Sequence, residues 1–170
     1  MKKLIFLLIV TSMLFVVPAA IAYEPGDFEL TLSGGGSSDE SFDGTVLNVE
    51  AGLGYFLTRG FEVVGRQGFA YADNPGGDKW MASSRVSLIY NFDLETVYPY
   101  LGANFGYLYG DMVKDQFIAG PEGGVKFFVN DTTFIMAGIE YQFLFEDVKD
   151  ADDNFDDGRF VYLLGIGFRF

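Results

Sequence analysis

The chain has no cysteine and no histidine in its 170 residues, a single tryptophan, and 11 basic residues against 24 acidic ones. Without cysteine there is no disulfide staple, no thiolate nucleophile and no lipid-modified N-terminal cysteine. Without histidine, imidazole metal ligands and the commonest general base are missing too. A formal net charge of −13 repels polyanions, so nucleic acid is not an expected partner. Past residue 22 no segment shows helical periodicity, which leaves strands as the material of the fold.

Residues 1–22 read as a segment removed before folding. Lys2 and Lys3 form a basic start, Leu4 to Val17 an apolar run, and Ala20-Ile21-Ala22 a small-x-small cleavage site ahead of the polar Tyr23-Glu24-Pro25-Gly26-Asp27. The expected organisation is a cleavable signal peptide, 1–22, and one domain, 23–170, exported through the periplasm. An uncleaved membrane anchor is the alternative, because the apolar run is almost long enough to span a bilayer.

The domain divides into eight stretches with strand periodicity: Asp27 to Ser33, Thr45 to Leu57, Phe61 to Tyr71, Trp80 to Phe92, Val97 to Tyr109, Gln116 to Val129, Thr133 to Glu146, and Arg159 to Phe170. Longer polar loops at 34–44, 72–79, 110–115 and 147–158 alternate with tight turns at 58–60, 93–96 and 130–132. An even number of antiparallel strands with short turns at one end and longer loops at the other is the layout of an all-β, up-and-down transmembrane barrel.

A water-soluble barrel has the same strand count, and the parity of the charges decides between them. Glu29, Glu50, Glu62, Arg66, Arg85, Glu122, Lys126, Glu140, Glu146, Arg159 and Arg169 all fall on the face opposite the apolar one. That is too little polarity to hydrate an exterior and enough to line a narrow lumen. The apolar face is ordered by depth. Phe69, Tyr71, Trp80, Tyr107, Tyr109, Phe117, Phe143, Phe145, Phe160 and Tyr162 belong to the loop end. Phe28, Tyr55, Phe61, Tyr90, Phe92, Phe127, Phe168 and Phe170 belong to the turn end, with Val, Ala, Leu and Ile between. Aromatic girdles around an aliphatic band are what two membrane interfaces select. Gln67 and Pro121 interrupt this face, and Tyr141 lies deeper than a girdle residue should.

Counting from the strand ends places Glu50, Arg66, Arg85, Glu122 and Glu140 in one layer near mid-height, with Glu122 facing Glu140 and Arg66 facing Arg85. Lys126 falls about one residue pair lower. Eight strands enclose just enough space for such side chains to fill it, so the expectation is a lumen plugged by charge.

The last nine residues, "YLLGIGFRF", put Tyr162, Leu164, Ile166, Phe168 and Phe170 on one face and turn Gly165 inward. This pattern resembles the C-terminal signal of outer-membrane barrels, which implies recognition by the barrel-assembly machinery, with Leu163 where that signal usually carries a polar residue. Stretches such as "YPYLGANFGYLYG" and "AGPEGGVKFFVNDTTFIMAGIEYQFLF" resemble the outer-membrane β-barrel domain family that includes the OmpA- and OmpX-type small barrels. The resemblance covers the whole domain and implies a location in the bacterial outer membrane. Members serve as envelope anchors, adhesins, narrow pores or lipid-modifying enzymes, so the fold does not choose the role.

Small barrels that modify lipid resemble one another in using a histidine, and this chain has none. Ser33, Ser37, Ser38, Ser41, Ser83, Ser84 and Ser87 have no evident basic partner in the sequence. No enzyme activity and no cofactor are expected. Asp150, Asp152, Asn154 and Asp156 alternate as calcium-loop ligands do, but without the glycine and the closing glutamate of an EF-hand. A solvated, like-charged loop is the expectation, with weak divalent binding, bridging to lipopolysaccharide phosphates, as the alternative. The reading is a monomeric, non-enzymatic envelope component in contact with outer-membrane lipid and lipopolysaccharide, displaying acidic loops. A low-conductance porin-like channel and a surface adhesin are the competing roles.

Overall fold

A computed structural model describes residues 23–38, 45–73, 77–145 and 158–170. Eight strands follow one another: β1 Phe28–Ser38, β2 Thr45–Phe56, β3 Phe61–Asp73, β4 Lys79–Asn91, β5 Val97–Gly110, β6 Gln116–Phe128, β7 Thr133–Phe145 and β8 Gly158–Arg169. Each pairs antiparallel with its sequence neighbour, and β8 returns to β1, so the sheet is a closed barrel. At 11 to 14 residues each strand reaches or exceeds the roughly 9–11 residues needed to cross a bilayer at a tilt. No helix among the described residues is long and apolar enough to cross a membrane. Residues 1–22, Glu146 and the acidic positions Asp150, Asp152, Asn154 and Asp156 lie outside the described residues.

Strand ends agree with the sequence periodicity to within a residue or two, except at β1. The expected stop at Ser33 is corrected to Ser38, because Gly34, Gly35 and Gly36 continue the ladder opposite Val49, Asn48 and Leu47 of β2. Glycines show no side-chain alternation to read, yet their backbones pair as well as any.

Side-chain polarity is inverted relative to a water-soluble protein. Leu101 is 63% exposed on the outside, while Glu140 inside is 0% exposed. Every inward-assigned charge among the described residues is buried or half-buried. At the turn end the interior is aromatic: Tyr23, Phe56, Tyr98, Phe128, Phe134 and Met136 form one cluster. Phe134 lies over Gly167, its pairing partner on β8, and a Cβ there would strike the ring. Gly167 is therefore a packing requirement.

The three irregularities of the lipid face each have a local explanation. Gln67 does not meet lipid unsatisfied, because Ser84 Oγ donates to its Oε1 at 2.8 Å and its Nε2 donates to the Tyr109 hydroxyl at 3.2 Å. Pro121 has no N–H to give, and the β6–β7 ladder lapses at that point between Ala119↔Phe143 and Glu122↔Glu140. Tyr141 packs edge-on against Phe143 and Phe160, with centroids 4.8 and 4.9 Å away. Turns are pinned by side chains: Thr58 Oγ1 accepts from Phe61 N at 2.9 Å, and Asn130 Oδ1 accepts from Thr133 N at 2.8 Å.

Candidate functional site: the charged lumen

Because successive side chains of a strand point to opposite faces, the sequence places its interior charges by parity, and the strand register sets their height. Arg66 pairs with Arg85 across β3–β4, and Glu122 pairs with Glu140 across β6–β7. Cations on one wall and acids on the other reach across the bore. Arg66 Nη1 donates to Glu122 Oε2 at 2.6 Å and to Ser87 Oγ at 2.6 Å. Arg85 bridges two acids, one guanidinium nitrogen on Glu140 and the other on Glu50. Glu50 also lies 3.9 Å from Arg66 Nε. Gln142 Nε2 donates to the second oxygen of Glu140 at 2.6 Å, and Gln142 Oε1 accepts from Arg159 Nε at 2.8 Å.

Lys126 stands apart from this tier. Its ammonium is buried between Glu29, at 2.5 Å, and Glu62, at 2.9 Å. Asn91 Nδ2 supplies a further donor to Glu62 at 3.0 Å. The rings of Phe134 and Tyr23 lie 5.4 and 5.5 Å from the same ammonium, within cation–π range. Tyr23 closes this lower tier from below. Its ring stacks on Phe56 at 3.9 Å, and its hydroxyl donates to the free oxygen of Glu29. Burial first, and the charge of Glu29 next, hold the Tyr23 hydroxyl well above its ordinary pKa, so it remains a donor. Arg169 pairs with Asp27 at 2.6 Å at the rim.

The bore thus holds two stacked ion networks, where the counting of residues foresees one layer with Lys126 close beneath it. Glu29 and Glu62 are recognisable as inward charges, but their partnership with Lys126 is not. Tyr23 and Gln142 carry no sequence signal as lumen residues. Asn104 is 4% exposed and neither of its side-chain polar atoms has a partner among the described residues; Glu122 Oε1 is in the same position. At the C-terminus, Tyr162, Phe168 and Phe170 point outward and Gly165 lies against Ser33. Phe28 N donates to Phe170 O at 2.9 Å and Phe170 N donates to Phe28 O at 3.0 Å, which ties the two chain ends of the domain together. No group of metal-ligating side chains occurs among the described residues.

No protein-family model matches the chain, and no curated protein sequence matches it. Solved structures do. The N-terminal β-barrel domain of Pseudomonas aeruginosa OprF superposes with a TM-score of 0.58 at 19% identity, over 87% of this chain and 100% of that one. The outer membrane protein OprG of the same organism gives 0.58 at 14% identity, over 89% and 99%. Neisserial surface protein A gives 0.53 at 19% identity, over 84% and 94%. The chain has the fold of the small eight-stranded outer-membrane barrels. An exterior built for lipid and this fold together place the barrel in the bacterial outer membrane. At these identities the similarity is one of fold.

Proposed function

We propose that this barrel is a monomeric, non-enzymatic envelope component, closed to solutes by its charged lumen and displaying acidic loops outside the cell. The observation that supports this reading is the pair of stacked networks, Arg66–Arg85–Glu50–Glu122–Glu140 above and Lys126–Glu29–Glu62 below. Interdigitated ion pairs leave no continuous bore in a barrel of eight strands. Both Glu122 and Glu140 are engaged by arginine, which leaves neither free as a general base. Lipid and lipopolysaccharide surround the barrel, and the assembly machinery inserts it through the Tyr162–Phe170 strand. Purified protein in planar bilayers is expected to show no steps above the membrane baseline; reproducible steps would establish the channel reading instead. That second reading draws on one observation, the unpartnered Asn104 and Glu122 Oε1, whose buried polar atoms call for internal water.

The adhesin reading has a neighbour in Ail of Yersinia pestis, solved with the heparin analogue sucrose octasulfate, at a TM-score of 0.51 and 16% identity. A polyanion suits this chain poorly, given its acidic loops. The mature chain starts at Tyr23 in this proposal, consistent with a Tyr23 side chain seated in the lumen floor. N-terminal sequencing of membrane-embedded protein is expected to begin there, and a Met1 start would overturn it.

A further inference from the structure

The seam between β1 and β8 differs from the other seven. Its ladder runs from Glu29↔Arg169 only as far as Ser33↔Gly165. The β1–β2 ladder continues to Ser38↔Thr45, and the β7–β8 ladder to Phe143↔Gly158. Above Ser33, among the described residues, β1 pairs with β2 alone and β8 with β7 alone. A Cβ on Gly35 would meet only the Asn48 side chain, with nothing from β8. Across the gap Tyr162 is 76% exposed. The wall has a notch that opens from the loop end down to Ser33, ~17 Å along the strand at about 3.3 Å per residue.

Unpaired strand edges are unfavourable in hydrocarbon, where backbone groups find no partner. They are tolerable where polar surface reaches them from within, and here it does. Behind the notch lies a cavity of 430 Å³, reached by Ser33, Asn48, Ser83, Gln142 and Arg159. Beside the notch its lining turns apolar at Val161 and Leu163. Arg159 decides the chemistry. Its Nε is committed to Gln142, while its Nη groups have no acceptor among the described residues. Glu140, the acid beyond Gln142, is already engaged by Arg85 and by the Gln142 amide.

We propose that cavity and notch form a lateral site for a long-chain carboxylate, with its head on the Arg159 guanidinium and its tail passing between β1 and β8 into the lipid. Two Nη donors with no acceptor among the described residues, held in one plane, match the two oxygens of a carboxylate. The apolar Val161 and Leu163 lie where the first methylenes emerge. Acidic loops discourage an anion from approaching through water, and a notch facing lipid supplies an approach that avoids them. The proposal goes beyond the closed-lumen reading and rests on the seam and on Arg159, so a conducting lumen would leave it standing.

The geometry is tested first by cross-linking in a chain that has no native cysteine. Leu32→Cys with Ile166→Cys, inside the paired stretch, is expected to oxidise readily. Gly35→Cys with Leu163→Cys, which the same register continued past the last pair would set opposite each other, is expected to stay reduced because the edges stand too far apart. Equal oxidation of both pairs would mean a closed seam and overturn the proposal. Binding is tested in nanodiscs with Val161→Trp in a Trp80→Phe background, using dibromostearate as quencher and its methyl ester as a control that partitions into lipid without a carboxylate. Saturable quenching is expected at about tenfold lower concentration for the acid than for the ester. Arg159→Gln should abolish that preference while Arg159→Lys keeps part of it, in proteins that still show the folded shift on unboiled gels. Equal quenching by acid and ester in the parent, or a preference that survives Arg159→Gln, would overturn the site.

Discussion

Replacing Arg66 and Arg85 together by alanine is expected to lower the stability of the barrel by about 3 to 5 kcal/mol, the usual consequence of leaving a buried charge without its partner. Three acids, Glu50, Glu122 and Glu140, would then share the middle of the bore. Lys126 is held by Glu29 and Glu62 in its own tier and is not free to replace the lost cations. The deficit relative to wild type is read from urea midpoints at neutral pH. The same variant should open a path that prefers cations, since an acidic ring would remain where large side chains had filled the bore. Urea midpoints and conductance unchanged from wild type would show that the upper tier does not close the lumen.

Lys126→Met is the second large effect expected. The substitution keeps most of the aliphatic volume and removes the single ammonium that Glu29 and Glu62 share, both 1% exposed. Tyr23 continues to donate to Glu29 and Asn91 to Glu62, so each acid retains one hydrogen bond and loses its counter-charge. A loss of about 3 to 5 kcal/mol follows for breaking a buried pair on one side. Adding Glu29→Gln and Glu62→Gln to Lys126→Met should restore most of it, because a neutral tier needs no cation. A triple variant as unstable as the single one would show that packing, and not charge, is what Lys126 supplies.

The sequence makes the barrel readable because parity is a binary property. One misplaced charge on the apolar face would be visible, and ten of the inward-assigned charges lie inside or at the rim of the described structure. Register within a hairpin is readable for the same reason: turn length fixes which residues face each other, so Arg66↔Arg85 and Glu122↔Glu140 follow from counting. Height is harder. Strands of a barrel tilt and stagger, so residues equally far from their own turns do not lie at one level, and Lys126 reaches Glu29 and Glu62 where counting sets it just below the arginines. Tyr23 lies outside any strand and has no periodicity to betray an inward course. The glycines of β1 hide its length, and with it the short β1–β8 seam.

The separations along the chain give the lumen a kinetic meaning. Every seam but one joins neighbours in sequence, so hairpins can form early and cheaply in loop entropy. Three of the ion pairs that cross the bore are long-range: Lys126 and Glu29 are 97 residues apart, Lys126 and Glu62 are 64, and Arg66 and Glu122 are 56. No single hairpin holds both members of any of these three pairs. An open, flat sheet in lipid would leave these three cross-bore pairs unmade, so each half-closed intermediate is disfavoured and the complete circle is relieved. The interior of this barrel acts as a latch that makes closure cooperative.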